Sequence, residues 1–307
     1  MKVAIIGGTG FVGSYLLDEL LQQGHQPVLL VRPGSESKVV QRERCALVPG
    51  DVKDRESIRA TLAGCDAAIY CIGILRELKS EGITFEELQF QGAVRTMKVA
   101  IEAGIRRFVL MSANGVKVEG TVYQNTKYRA EQYLKTTELD WTIFRPSVIF
   151  GDPRGKMEFC TQLYEQMIKP PIPAPLFYDG LFPSNAGSFE LAPVHVRDVA
   201  TVFVKSLTLP AAVRQTYSLC GPDSFAWKAI IKTLAKVTGK PKLMLPTPVL
   251  AVKLMAAALD RFAFFPISRD QITMLMEGNT CDSTAVFALF GVTPIHFNET
   301  ALVYLNS

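Results

Sequence analysis

Short apolar runs alternate with amphipathic stretches over the first half of the chain. Val3 to Ile6 is an unbroken apolar run, the pattern of a strand buried on both faces of a parallel sheet. Phe11, Tyr15, Leu16, Leu20 and Leu21 then fall near helical spacing and stop at Gly24, a residue suited to the left-handed turn that closes a helix. The rhythm continues. Pro27 to Val31, Ala46 to Val48 and Asp66 to Ile72 read as the second, third and fourth strands. Phe85 to Ala103 is a long helical stretch closed by Gly104, and Arg107 to Met111 is a fifth strand. A helix through Tyr123 to Leu134 follows. Such alternation predicts an α/β fold with a doubly wound parallel sheet.

Beyond Gly151 the rhythm is lost. Lys169-Pro-Pro-Ile-Pro-Ala-Pro cannot be a regular helix, and Leu176-Phe-Tyr-Asp-Gly-Leu-Phe-Pro reads as an aromatic loop. From Ser224 onward the pattern is mostly helical, broken at Gly239, Pro246, Pro248, Pro266, Gly278 and Gly291. The expected organisation is a sheet domain of residues 1–150 plus about 190–220. A smaller, mostly helical C-terminal domain would comprise 151–189 plus 221–307.

Composition narrows the classes. Hydrophobic residues make up 48% of the 307, enough for packed cores rather than disorder. The net charge of +4 is spread thinly, without the basic run that a nucleic-acid surface needs. None of the six cysteines forms a Cys-x-x-Cys pair, and several sit in apolar runs. They read as small buried hydrophobes of a reducing compartment. His25, His195 and His296 show no zinc spacing, so no metal is expected. Met1 leads straight into the first strand, which leaves no room for a signal peptide. Pro248 to Pro266 is apolar but carries Lys253, Asp260 and Arg261. It therefore reads as a packed helix or one lying on a membrane surface, not as a bilayer span. The expected location is cytoplasmic, with a peripheral membrane association left open.

The chemistry begins at the first turn. Gly7, Gly10 and Gly13, with Thr9, Phe11 and Val12 between them, join the first strand to the first helix. Glycines in that context let backbone N–H groups approach a pyrophosphate at the positive end of the helix. A nicotinamide dinucleotide is the expected ligand. Arg32 ends the second strand, where an acid would favour the ribose 2′-OH of NAD and an arginine the 2′-phosphate of NADP. Ser35 and Lys38 could add contacts, and Glu36 opposes them. NADP(H) is thus expected over NAD(H). Asp51 and Val52 follow the third strand; Asp51 could meet the adenine amino group or cap the helix beginning near Asp54. Gly73, ending the fourth strand, would let backbone pass close to the cofactor.

Ser112 ends the fifth strand, and Tyr123-Gln-Asn-Thr-Lys127 opens the next helix, its Tyr and Lys on one face. With the glycine turn, these residues make the chain resemble the short-chain dehydrogenase/reductase superfamily, a Rossmann-type fold. The resemblance implies Tyr123 as general acid or base, Lys127 on the nicotinamide ribose and lowering the tyrosine pKa, and Ser112 orienting the substrate oxygen. Leu139-Asp-Trp-Thr-Ile-Phe-Arg-Pro-Ser-Val-Ile-Phe-Gly151 is similar to the atypical and extended branches, where backbone from Pro146 to Val148 faces the nicotinamide. Leu191 to Ala200 resembles their return segment. The region from Gly221 to Val292 is similar to the group typified by the NADPH-binding accessory subunit of respiratory complex I and its bacterial relatives.

The resemblance implies an NADP(H)-dependent oxidoreductase acting on a carbonyl or alcohol. The aromatics after Leu176 would wall or lid an apolar substrate site, or simply pack their loop onto the core. Two alternatives stand beside it. One is a non-catalytic NADPH-binding structural or assembly protein with a protein-complex or membrane-surface partner, since the complex I group includes members thought not to turn the cofactor over. The other is a nucleotide-sugar epimerase or dehydratase, which the short Ser112-Ala-Asn-Gly-Val segment before Tyr123 disfavours.

Overall fold

Val3 to Ile6, fully buried, form most of β1 (Lys2–Ile6) in a computed structural model that describes residues 1–253 and 269–306. The described chain divides into two compact units. The first comprises Met1–Pro146, Val196–Leu219 and Ala285–Thr293; the second comprises Ser147–His195, Cys220–Thr284 and Pro294–Ser307.

In the first unit β1 is followed by α1 (Phe11–Gln22), β2 (Gln26–Val31), β3 (Ala46–Pro49), α2 (Arg55–Leu62) and β4 (Ala67–Tyr70). Then come α3 (Gly92–Glu102), β5 (Arg107–Met111), α4 (Val122–Lys135) and β6 (Asp140–Pro146). The seven-stranded sheet runs Gln215–Leu219, β6, β5, β4, β1, β2, β3, every neighbouring pair parallel. The order reverses between β1 and β4, and all the carboxyl ends share one edge. Ligands of open α/β sheets bind at that reversal.

The pleat sends alternate side chains to opposite faces. Ala4, Ile6, Val28, Leu30, Ala68, Tyr70, Phe108 and Leu110 share a core with Ile58, Leu62, Met97 and Leu134 of α2, α3 and α4. On the other face α1 packs beside the helix Val196–Ser206, and Phe144 of β6 lies 4.6 Å from Phe203, centroid to centroid. The sheet and helices agree with the alternation read from the sequence. A wide π-type turn, Glu86–Gln91, leads into α3 and lies within the long helical stretch expected there.

Two devices hold α4 in place. Thr121 and Gln124 form a reciprocal capping box at its start, which satisfies two N–H groups that the first turn leaves unbonded. Farther along, Glu131 is fully buried and accepts from Arg145 of β6 at 2.9 and 2.5 Å.

The second unit departs from the expected pattern in two places. Ala174–Tyr178 is a strand, not a loop, and pairs in parallel with Met244–Pro248 inside the stretch read as helical. Pairing over some seventy residues leaves no local signature, and prolines at 175, 246 and 248 masked the extended pattern. Phe177 is buried near Trp227, whose ring nitrogen donates to the Pro175 carbonyl at 2.9 Å. Cys220 and Cys281 form a disulfide, with Cα atoms 5.6 Å apart, which corrects the reading of the cysteines as reduced. Their separation of 61 residues is closed by the fold and not by any local motif. Cys45, Cys65, Cys71 and Cys160 are free. Among the described residues no helix is long and apolar enough to cross a membrane. The stretch Pro248 to Pro266 lies outside the described residues from position 254 onward.

The Arg145–Glu131 pair gives a test of how α4 is anchored. Arg145→Met leaves a buried carboxylate without its main partner, and a loss of about 3 kcal/mol is expected. Urea unfolding measures it; a loss below ~1 kcal/mol would show that helix packing alone holds α4.

Candidate dinucleotide site

The turn after β1 is shaped by contacts that only hydrogen atoms can make. Gly7 has φ +107°, and a Cβ there would lie 3.0 Å from backbone atoms of Cys71 and Ile72, at the end of β4. A Cβ at Gly13 would stand 2.3 Å from the Gly7 carbonyl oxygen and 2.7 Å from the Gly8 Cα. The first turn of α1 is thereby pressed against the end of β1. Gly10 caps the helix without any side-chain bond to its N–H groups and donates to the Gly7 carbonyl at 3.1 Å. Thr9, Phe11 and Val12 line the same turn and are half-buried. Unspent N–H groups and the helix dipole make this end receptive to an anion.

Arg32 is exposed at the end of β2, and its carbonyl accepts from the N–H of Ser35 at 2.9 Å. Lys38 is also exposed in the following turn. After β3, Asp51 accepts from the N–H of Lys53 at 2.9 Å. Capping of α2 falls instead to Asp54, which accepts from Glu56 and Ser57 at 3.2 and 3.0 Å. That removes one of the two uses weighed for Asp51. Val52 is buried, and its carbonyl takes a bond from Arg95 at 2.7 Å.

Lys127 joins the ends of β4 and β5 to the start of α4. Its ammonium, 5% exposed by residue, donates to the Met111 carbonyl at 3.0 Å and lies 5.7 Å from the centre of the Tyr123 ring. A Cβ at Gly73 would come within 3.9 Å of it. Burial lowers the Lys127 pKa to about 8, with Glu131 and Cys71 pulling the other way. Tyr123 packs edge-on to Phe85 at 5.7 Å, and burial raises its phenol above the ordinary value. The direction is opposite to the lowering expected from the lysine, because desolvation dominates over a cation held at the ring. Ser112, next to Met111, is 3% exposed, and its hydroxyl has no hydrogen-bond partner among the described residues.

Gly7, Gly10, Gly13, Arg32, Asp51, Val52, Gly73, Ser112, Tyr123, Lys127 and Pro146 thus all lie along the carboxyl edge of one sheet. Pro146 is buried at the end of β6, its carbonyl accepting from Asn114 at 2.9 Å. Val148 belongs to the second unit, where its carbonyl accepts from Val194 at 3.0 Å.

Two contributors escaped the sequence reading. Gln89, 2% exposed, donates to the Ile74 carbonyl at 3.0 Å and accepts from Thr126 at 3.0 Å. It ties the chain after Gly73 to the helix carrying Tyr123 and Lys127, and nothing marks it within a helical stretch. Cys71 lies against the glycine turn, its thiol bonded to the Ile6 carbonyl at 3.4 Å and pushed up to about 12 by burial. It is a spacer, not a nucleophile. No cluster of His, Cys, Asp and Glu among the described residues could hold a metal.

Comparison with known proteins bears on this geometry. A family model described as NAD(P)H-binding matches residues 7–169, more than half of the chain. The chain belongs to that NAD(P)H-binding family. The photosystem II assembly factor Ycf39 of Synechocystis is 22% identical over 96% of this chain and 86% of its own. The 40 kDa subunit of mitochondrial NADH-ubiquinone oxidoreductase from Neurospora crassa is 23% identical over 99% and 78%. A ceramide reductase of Caulobacter vibrioides is 27% identical over 80% and 74%. The relatives are atypical short-chain dehydrogenase and epimerase-like proteins, as the sequence resemblance indicated. Thermus thermophilus UDP-glucose 4-epimerase, in complex with NAD, superposes with a TM-score of 0.74 at 16% identity, over 100% of this chain and 98% of that one. It shares the fold.

An NAD(P)H-binding chain fits the polar groups described. A pyrophosphate would suit the N–H groups of the glycine turn, and the Lys127 ammonium, with one donor spent on the Met111 carbonyl, would have others to offer a ribose. A buried cation with a lowered pKa also makes a stability prediction. Unfolded lysine, near 10.5, holds its proton more tightly than Lys127 at about 8. The penalty is therefore full below pH 8, reaches roughly 3 kcal/mol, and is relieved as pH rises from 8 toward 10.5. Lys127→Met should melt no lower than the parent at pH 7, with any advantage shrinking toward pH 10, while NADPH affinity falls roughly tenfold or more. Thermal unfolding across pH checks the first part. A variant several kcal/mol weaker at pH 7 would make the ammonium a structural strut.

Proposed function

We propose that the protein is an NADP(H)-dependent reductase acting on a carbonyl compound, with Ser112, Tyr123 and Lys127 as its catalytic set. The observation carrying this reading is the buried Ser112 hydroxyl, without a hydrogen-bond partner among the described residues, on the residue after Met111, whose carbonyl holds the Lys127 ammonium 5.7 Å from the centre of the Tyr123 ring. A hydroxyl so placed offers a hydrogen bond to a substrate oxygen. Tyr123, kept protonated by burial, is in the form that donates a proton to that oxygen as negative charge develops on it. When bound, the nicotinamide supplies the hydride. The ammonium of Lys127 would hold the ribose hydroxyls and stabilise that charge. Arg32 supports a preference for the 2′-phosphate of NADP.

A second reading has an observation of its own. Relatives that cover nearly the whole chain are named as an assembly factor and as a respiratory-complex subunit. In that reading the dinucleotide locks the fold and no turnover occurs.

Arg32→Glu should weaken NADPH binding by tenfold or more, about 1.4 kcal/mol or above, and leave NADH nearly unchanged. Fluorescence titration with each cofactor checks this, and equal losses would remove Arg32 from the cofactor site. Tyr123→Phe should keep NADPH affinity and lower kcat by roughly 100-fold on any ketone, aldehyde or quinone the parent reduces. Full turnover by the variant would dismiss Tyr123 as the proton donor. NADPH binding with no consumption across such a panel would favour the scaffold.

A further inference from the structure

The second unit exposes an apolar surface around its two-stranded sheet. Ile172, Leu181, Phe182, Leu243, Leu245 and Leu250 are exposed, from 48% for Leu245 to 90% for Leu181. Single exposed leucines are ordinary, but a group of six on one substructure is not. Pairing brings them together. Ala174 lies opposite Met244 and its N–H donates to the Leu243 carbonyl at 2.8 Å, so Ile172 and Leu243 sit at one end of the sheet. Tyr178 lies opposite Pro248, so the chains leading to Leu181 and Phe182 and to Leu250 both leave the sheet at its other end. Between them Leu243 and Leu245 point outward, two residues apart, while Met244 turns in against the core of this unit.

The same segments are basic. Lys169, Lys240, Lys242 and Lys253 outnumber the acids Glu165 and Asp179. Glu165 pairs with Lys169 at 2.8 Å, and Lys240 donates to the Tyr164 hydroxyl at 2.7 Å. Lys242 is held at the Ile168 and Pro170 carbonyls. Lys169, Lys240 and Lys242 are thus held by partners within the segments that lead into the two strands. Prolines 173, 175, 246 and 248 remove N–H donors from both strands, which makes either edge a poor template for another strand.

We propose that this face docks on an anionic phospholipid surface. The leucines and Phe182 enter the boundary between headgroups and acyl chains, and the lysines meet the lipid phosphates. The chemistry matches on both counts: exposed apolar side chains, in segments that carry more lysines than acids, on a sheet whose edges resist strand addition. This surface lies wholly within the second unit and does not depend on whether the first unit turns over substrate.

Sedimentation of the full chain with vesicles tests it. Vesicles of equal parts phosphatidylcholine and phosphatidylglycerol should carry the protein down at a Debye length of ~10 Å, and much less at ~3 Å. Pure phosphatidylcholine vesicles should bind it several-fold more weakly. Leu181→Ser/Phe182→Ser and, separately, Leu243→Glu/Leu245→Glu should each weaken binding by roughly tenfold or more. Both should keep the parent's NADPH affinity and melting temperature. The lipid surface is overturned if the parent stays in solution with anionic vesicles, or if both double variants bind as it does. It is equally overturned if the parent is a dimer that these variants convert to monomers, which would assign the face to a second copy of the chain.

Discussion

The site depends on one close approach, that of the first turn of α1 to the end of β1. A methyl group at Gly13 would fall within 2.3 Å of the Gly7 carbonyl oxygen, far inside van der Waals contact, so the helix lies where no other residue would allow it. Its N-terminus therefore stands over the point where the strand order reverses, between β1 and β4. The turn contacts β4 as well, through Gly7 and the backbone of Cys71 and Ile72. Recognition of a pyrophosphate by backbone, as proposed, would follow from that geometry and need little help from side chains. In the proposed reading Arg32, exposed and at the next strand end, would have the narrower task of discriminating between two dinucleotides.

A second constraint runs along α4. Tyr123, Lys127 and Glu131 recur four residues apart and so share a helix face. Arg145 holds the last, and Glu131 in turn favours the ammonium of Lys127. The cation is kept at the Met111 carbonyl, near the phenol, by a carboxylate one turn away that is itself anchored to β6. Gln89 and Thr126 fasten the same helix to the chain after Gly73. The groups proposed as catalytic are thus carried on rigid elements with supporting hydrogen bonds behind them, the arrangement that precise positioning requires.

What could be read from the sequence follows from the range of the signals. The parallel sheet was legible because each strand and helix carries its own periodicity and each turn its own glycine. The positions of the glycine turn, Arg32 and Ser112 at strand ends, and of Tyr123 and Lys127 on one face of α4, were legible because each follows from local spacing. The Ala174–Tyr178 and Met244–Pro248 pairing was not, nor the Cys220–Cys281 bond, since both join segments some sixty to seventy residues apart. The raised pKa of Tyr123 was missed for a different reason. Spacing reveals that a lysine is near, whereas desolvation depends on everything else packed around the ring. Gln89 escaped because a polar residue on a helix face looks solvated until a second element covers it.

The contest between reductase and scaffold turns on what each would require of these residues. Holding a dinucleotide calls for the glycine turn, Arg32 and a cation near the ribose. It does not call for a buried hydroxyl with no partner, and leaving one unsatisfied costs about 1–3 kcal/mol. Ser112 incurs that cost in the described structure, on the residue after Met111, whose carbonyl holds the Lys127 ammonium. A protein that only stored the cofactor would be more stable with alanine at 112. A protein that orients a carbonyl oxygen would regain the cost each time substrate binds, and would lose rate without the hydroxyl. The unsatisfied serine therefore weighs on the side of catalysis. The raised pKa of Tyr123 keeps the phenol in its protonated form, which is the form that gives a proton to the oxygen of a reduced carbonyl, whereas oxidation of an alcohol would first need the phenol ionised.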